Sequence, residues 1–527
     1  MHTTWIVLLP PLLVLIAAFI THRLNPSLIV GILTAAVIAA DFNLFEAAKL
    51  AFTRLTEKLI DPDYLYLYGF LFLIGIIIML LSRTGGAAAF AQSITARLKS
   101  KRAVETSSLL LSFLLFIDDY LSSLTVGYVM RPLADRFNIP RAKLAFLVHS
   151  LSGPLVIMVP VSSWVAMITS QLDLAGIAAH GTTARINADP FFVYLSSIPF
   201  IFYSILTIAS VWFIVRMNIS FGPMHAQEQI AIKNGNLFGG KPALNSPIEH
   251  YESAQGSIID LILPLVTLIS SAFLGILYVG GFWLLGGNRS LLEALKNNNN
   301  TFFALFMAAT ITFIFSLIFA LVRKKIRTIA VPNVVKCGIQ LMQGAVLMVF
   351  LASILGTMLK SDLFVGTYLA HSIIGSLTPA LLPFVFFIIS AIVATITGSS
   401  WGTIAIMLPN TIQMLVHLLA LPTGTSPEHI AILFPLLGAI FSGAVCGDHI
   451  SPISETTIMA STSSGAYPID HAYTQFFYAL PAIVSSALAF LIAGFLAPHG
   501  MLITLVGSLI TGLTSCIMLL WYCNNNV

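Results

Sequence analysis

Four acids stand inside apolar sequence, where a charge is expensive. Asp118 and Asp119 lie in Phe116-Ile117-Asp118-Asp119-Tyr120. Asp448 and Glu455 lie in Gly447-Asp448-His449-Ile450-Ser451-Pro452-Ile453-Ser454-Glu455-Thr456-Thr457. Placing an ionised carboxylate at a bilayer centre costs about 2.5–3.5 kcal/mol even on lenient insertion scales. No Lys or Arg is expected at the same depth, so these acids call for small cations, and Na⁺ and H⁺ are the ready candidates. A site that holds one or the other, but not both well, is enough for exchange. The competing reading is a set of protonated structural acids at contacts between helices.

Hydroxyls accompany the acids. Ser162 and Ser163 follow Pro160; Ser451, Ser454 and Thr456 flank Pro452. Ser399, Ser400 and Thr403 lie in Thr397-Gly398-Ser399-Ser400-Trp401-Gly402-Thr403. Proline removes a backbone donor and opens a helix. The freed carbonyls, with Ser and Thr oxygens, suit a hard cation. A Na⁺ site is drawn here with Asp119, Asp448 and Glu455 as its ligands. Whether Asp118 or Asp119 faces it depends on the turn they share, and the other would cap a helix N-terminus. His449, beside Asp448, is a candidate proton relay. His149 reads as a hydrogen-bonded packing residue. Trp5, Trp212 and Trp521 read as interfacial anchors.

The elements that position these residues are membrane helices. The 527 residues are 57% hydrophobic and only 9% charged, where a soluble domain carries about 25% charged residues. Apolar runs long enough to cross about 30 Å of hydrocarbon recur throughout. In lipid such runs are helices, because open strands leave backbone groups unpaired. Eleven spans are expected: 5–21, 25–41, 64–82, 142–170, 191–216, 258–285, 302–322, 336–358, 429–462, 471–497 and 499–522. The first, Trp5 to Ile20, lacks a basic leader and reads as a retained span. The four cysteines (Cys337, Cys446, Cys516, Cys523) have no metal spacing and read as small hydrophobes.

Residues 103–135 and 379–415 are each expected to form a re-entrant hairpin with apolar arms of about 13–15 residues, too short to cross. With the N-terminus outside and the C-terminus cytoplasmic, 18 of the 25 Lys and Arg fall in inner loops, as the positive-inside rule asks. Residues 1–217 then give three spans, a hairpin and two spans, and residues 258–497 give the same series. An odd number of spans per half inverts the second half, the usual build of a secondary transporter with a midplane site. Residues 218–257 read as a cytoplasmic linker, and 498–527 as an extra C-terminal span. The Asn297–Asn300 run reads as low-complexity loop without function.

The motifs quoted above, with Met130-Arg131-Pro132, Ser162-Ser163-Trp164, Tyr473-Thr474-Gln475 and Tyr478-Ala479-Leu480-Pro481, resemble those of the NhaC-type Na⁺/H⁺ antiporters, in the ion-transporter superfamily. The resemblance covers about residues 65–490. It implies an all-α polytopic scaffold with two re-entrant hairpins and two unwound helices, about eleven spans in all. It also implies Na⁺(Li⁺)/H⁺ exchange in a bacterial-type inner membrane. No cofactor is implied beyond the transported ions. The partners are small cations and the lipid bilayer, not nucleic acid, and a homodimer is allowed. Glu455 stands where the family commonly has Asp, which keeps the carboxylate and lengthens its reach. Two other readings compete. One is Na⁺-coupled exchange or symport of a small organic acid, such as malate or lactate, or of an amino acid. The other is an intramembrane aspartyl protease using Asp119 and Asp448, for which Val445-Cys446-Gly447-Asp448 lacks the first glycine of the Gly-x-Gly-Asp motif. A transporter, not an enzyme, is the expectation.

Overall fold

A computed structural model of the chain describes residues 5–21, 23–86, 100–179, 184–244, 256–296, 301–365 and 378–525, together with 89 and 368. Arg97 and Lys99, counted above among inner-loop charges, and the Asn297–Asn300 run lie outside these. Nearly all the ordered backbone is helical, with one two-residue parallel strand pair, β1 (Ile177–Ala178) and β2 (Ile186–Asn187). Among the described residues nine helices are long and apolar enough to cross a bilayer, and the protein is an all-α polytopic membrane protein.

The chain opens with α1 (Leu9–Thr21) and α2 (Leu24–Ala39). It then forms α3 (Leu44–Ile60), where an outer loop is expected from hydropathy. Asn43 starts α3 by accepting from the Phe45 and Glu46 amides. The helix mixes Glu46, Lys49, Arg54, Glu57 and Lys58 with exposed Leu44, Phe45, Phe52 and Ile60. That composition suits a helix lying in the membrane interface, and averaging its hydropathy over a long window hides it. Asp61 caps α4 (Pro62–Arg83), with Pro62 in the first turn, where its missing N–H is harmless.

The first helical pair is α5 (Lys101–Leu114) and α6 (Asp119–Arg136). The first interrupted helix is α7 (Arg141–Val156) and α8 (Ser163–Ala175). Next come α9 (Pro190–Ser197) and α10 (Phe202–Met217), parted by a turn at Ile198–Phe200. The expected continuous span 191–216 is thus also broken, and Pro199 supplies the reason. The linker is not bare loop: α11 (Gly222–Asn234) lies within it.

The second half holds α12 (Ile259–Val279), α13 (Leu291–Lys296), α14 (Thr301–Val322) and α15 (Val331–Thr357). The second helical pair is α16 (Leu382–Thr397) and α17 (Ser400–Leu418); the second interrupted helix is α18 (Leu433–Ile450) and α19 (Glu455–Ser464). The chain closes with α20 (Pro468–Leu496) and α21 (Met501–Asn525). Three of the four pair arms are longer than expected. α6 has 18 residues, α16 has 16 and α17 has 19, so they reach about 24–29 Å. The helix simply continues through Pro132 in α6 and Pro409 in α17.

Small residues bring the central helices together. A Cβ on Gly447 would stand 2.2 Å from the Ala391 carbonyl oxygen, and one on Gly443 would stand 2.5 Å from that of Phe387. These two glycines form the Gly-x-x-x-Gly face that lets α18 lie directly on α16.

Candidate functional site

Four helix N-termini meet in the middle of the molecule. Three are capped by a side chain that the sequence singles out, and a fourth singled-out residue sits at the remaining start without capping it. Asp118 caps α6, accepting from the Leu121 amide, and Ser399 caps α17, accepting from the Gly402 amide. Ser454 caps α19, accepting from the Thr457 amide, and Ser162 occupies the cap position of α8. Such caps satisfy donors that a helix start otherwise leaves free.

The four starts form a closed ring of contacts. The Ser163 hydroxyl donates to Asp118 Oδ2 at 2.8 Å, and the Ser163 amide donates to the Ile117 carbonyl at 3.1 Å. Tyr120 donates to Glu455 Oε2 at 2.5 Å, tying the first hairpin to the second interrupted helix. Gly398, at φ +63°, turns the second hairpin against Ile453, whose carbonyl a Cβ would meet at 3.0 Å. Ser451 donates to the Thr395 carbonyl at 2.9 Å and Ser400 to that of Ala444 at 3.1 Å. The Trp164 and Trp401 rings close the circuit edge to face at 6.0 Å.

The carboxylates divide by role. Asp118 spends both oxygens on its cap and on Ser163, which makes it structural. Asp119 is 3% exposed, and its Oδ1 has no hydrogen-bond partner. It interacts electrostatically with Asp118 and Asp448 and with the Trp164 indole. Asp448 accepts from Ser454 at 2.8 Å on Oδ1 and from Thr456 at 2.5 Å on Oδ2. Four helix starts place the positive ends of their dipoles around these acids.

Several expectations need correction. Glu455 is not enclosed by protein: its side chain is exposed on the molecule and accepts from Tyr120. Among the described residues no three His, Cys, Asp or Glu are gathered closely enough to hold one metal ion. Asp119, Asp448 and Glu455 therefore do not form a three-carboxylate shell in this conformation. His449 does not turn toward Asp448. Neighbouring helical residues point in different directions, and the His449 Nδ1 instead pairs with the Tyr203 hydroxyl at 3.2 Å. The imidazole beside Asp448 is that of His149, with Nε2 4.0 Å from Oδ2. His149 also pairs with Thr456 at 3.0 Å and with His471 at 3.0 Å. His471 carried no signal in the sequence, because its partner lies 322 positions away.

The remaining hydroxyls are engaged as donors. Ser162 donates to the Val156 carbonyl at 2.8 Å and Thr403 to that of Ser399 at 2.9 Å. Their oxygens still carry lone pairs, which is what a hard cation uses. A basic side chain is also buried, at the start of α7 and apart from the four central acids. Lys143 is 1% exposed and lies 3.0 Å from Glu105 and 2.5 Å from Glu228.

Comparison with known proteins places the chain in a family. A family model described as the Na⁺/H⁺ antiporter family matches residues 155–495. An uncharacterized protein of Haemophilus influenzae is 31% identical over 501 residues, covering 93% of this chain and 90% of that protein. A malate-2H⁺/Na⁺-lactate antiporter of Bacillus subtilis is 30% identical over 141 residues, covering 25% of this chain and 28% of that one. The YdaH transporter of Alcanivorax borkumensis is 15% identical with a TM-score of 0.47, over 84% of this chain and 90% of its own. Asp448, Glu455 and both Ser-Ser-Trp helix starts fall inside the matched segment, and the chain belongs to the Na⁺/H⁺ antiporter family.

Proposed function

We propose that the protein exchanges Na⁺ or Li⁺ for H⁺ across a bacterial-type inner membrane by alternating access. Asp119 and Asp448 are the carboxylates that take one cation or the other. The observation that carries this reading is the unpartnered, buried Asp119 Oδ1 in electrostatic reach of Asp448. Neither acid has a Lys or Arg partner among the described residues, so a bound cation relieves their repulsion. Halves 1–217 and 258–497 act as inverted repeats about this centre. The N-terminus lies outside and the C-terminus in the cytoplasm, and residues 218–257 join the halves on the inner side.

Protein reconstituted into vesicles should dissipate an imposed pH gradient when Na⁺ or Li⁺ is added. Absence of any response at neutral to alkaline pH sinks the proposal. Asp448→Asn should abolish the response, and an unchanged rate in that variant removes Asp448 from the mechanism.

One feature favours a second reading, in which a small carboxylate travels as well. The Trp401 indole N–H is buried without a hydrogen-bond partner, beside the α17 N-terminus and its backbone N–H groups. Those are donors an anion would use, and one partly matching relative is named for malate and lactate. Uptake of labelled malate or lactate, measured with and without Na⁺, separates the two readings.

A further inference from the structure

Behind Asp448 lies a buried row of side chains that the exchange reading leaves unused. His471 Nε2 stands 3.0 Å from His149 Nδ1. His149 Nε2 stands 3.0 Å from Thr456 Oγ1, and Thr456 reaches Asp448 Oδ2 at 2.5 Å. All four residues are buried, both histidines completely.

The hydrogens in this row can be assigned one after another. An ionised carboxylate only accepts, so Thr456 donates its single hydrogen to Asp448. The Thr456 oxygen must then accept from His149, which puts the His149 proton on Nε2. A neutral imidazole with a proton on Nε2 accepts at Nδ1, so His471 donates from its own Nε2. That leaves His471 Nδ1 as a bare lone pair, and it is the ring nitrogen without a partner. A buried lone pair left over costs less than a buried N–H left over. Every donor in the row is used, and only one acceptor is idle.

We infer that His471 is a positioning residue that acts on Asp448 through His149 and Thr456. By donating to His149 Nδ1 it fixes the tautomer in which Nε2 carries the proton. His149 then offers Thr456 no acceptor, and the Thr456 hydroxyl, which also lies 2.7 Å from the Ser454 hydroxyl, keeps its bond to Asp448 Oδ2. Without His471, the His149 proton can move to Nδ1. Nε2 becomes an acceptor, the Thr456 hydroxyl can turn toward it, and Asp448 loses one of its two hydroxyl donors. The carboxylate is then less firmly held in its cation-binding pose. His449 adds no hydrogen bond to the row: its Nδ1 pairs with Tyr203, and its ring packs edge to face on His149 at 4.7 Å. The inference rests on Asp448 being the ion-binding carboxylate of the exchange reading.

The test compares wild type, His471→Leu and His471→Gln in the same vesicles, scoring half-saturating Na⁺ and maximal rate separately. Leu should raise the half-saturating Na⁺ concentration about five-fold, the size of one hydrogen bond, with the maximal rate held within about two-fold of wild type. Gln places an amide N–H near the position of the ring Nε2–H and should restore the wild-type value. A Leu variant with unchanged half-saturation overturns the inference. So does a loss of maximal rate that Gln fails to rescue, since that result describes a proton carrier or a packing defect. A wild type without Na⁺-driven proton flux counts against the exchange reading, not this one. Nitrogen-15 imidazole spectra of the purified wild-type protein then decide: both His149 and His471 should carry their proton on Nε2, and a proton on Nδ1 of either overturns the assignment.

Discussion

Asp118 and Asp119 are neighbours with opposite assignments, and the difference can be measured. Asp118 caps α6 and holds Ser163, so its removal is a stability event. Asp118→Ala should cost about 1–2 kcal/mol, the usual worth of an N-cap, seen as a lower thermal midpoint in detergent. Asp118→Asn keeps an accepting oxygen and should recover most of that loss. Asp119→Asn should leave the midpoint within the error of wild type and abolish Na⁺-driven proton flux. Similar midpoints for Asp118→Ala and Asp119→Asn would overturn the division. The acids, the Ser-Ser-Trp repeats and the Pro-broken stretch were legible in the sequence because a charge or a proline inside apolar sequence is conspicuous at any position. Which acid caps, and which imidazole stands beside Asp448, was not legible. Both depend on directions set by a turn and on a histidine that only the folded chain brings near.

At the scale of elements, the interrupted helices follow from local chemistry and the packing follows from what is missing. Pro452 and Pro160 mark two breaks, and Pro199 marks a third that hydropathy alone passes over. The amphipathic α3 was hidden for the complementary reason: its apolar residues are interleaved with Glu46, Lys49, Arg54, Glu57 and Lys58. Arg54 ties this helix to the far side of the chain through a two-pronged bond to Asp362, at 2.6 and 3.1 Å. The contact between α16 and α18 rests on Gly443 and Gly447. Gly447→Ala puts a methyl against the Ala391 backbone, which cannot yield as a flexible side chain would. Such overpacking costs about 1–3 kcal/mol. The expected result is a lower midpoint and weaker Na⁺-driven flux, while Gly424→Ala, at a position with open space around it, serves as the strain-only control at positive φ. An unchanged midpoint in Gly447→Ala would show that the two helices can separate freely.

At the scale of the whole molecule, the described part of the polar stretch 218–257 is fastened to the helices. Glu228 of α11 reaches Lys143 of α7 and Lys101 of α5, at 2.5 and 2.8 Å, and Glu105 completes the group. Arg141 adds to the clasp by donating to the Ser464 carbonyl and to Asp135, both at 2.8 Å, while its backbone amide donates to Leu237. Breaking a buried pair by removing one partner costs about 3–5 kcal/mol, since the other charge stays buried. Lys143→Met should therefore collapse the thermal midpoint, and Lys143→Met with Glu105→Gln and Glu228→Gln should regain part of it. A triple variant no more stable than the single one would show that the charges are not what matters there. Composition and loop charges made the membrane class legible. They could not show this clasp, since polarity marks residues 218–244 as outside the bilayer without saying what they touch.

The bond between Tyr120 and Glu455 spans 335 positions, and that distance is also a time. Ribosomes add about 5–20 residues per second, so the first hairpin waits on the order of half a minute for the helix that completes its surroundings. During that interval Asp119 is already synthesised and inserted while Asp448 does not yet exist. Until then the Tyr120 hydroxyl lacks the Glu455 carboxylate to which it donates in the finished chain. A fragment ending before residue 433 should therefore be cleared faster by membrane proteases than the full chain, and Tyr120→Phe, which removes the waiting donor, should lengthen that fragment's lifetime in pulse-chase labelling.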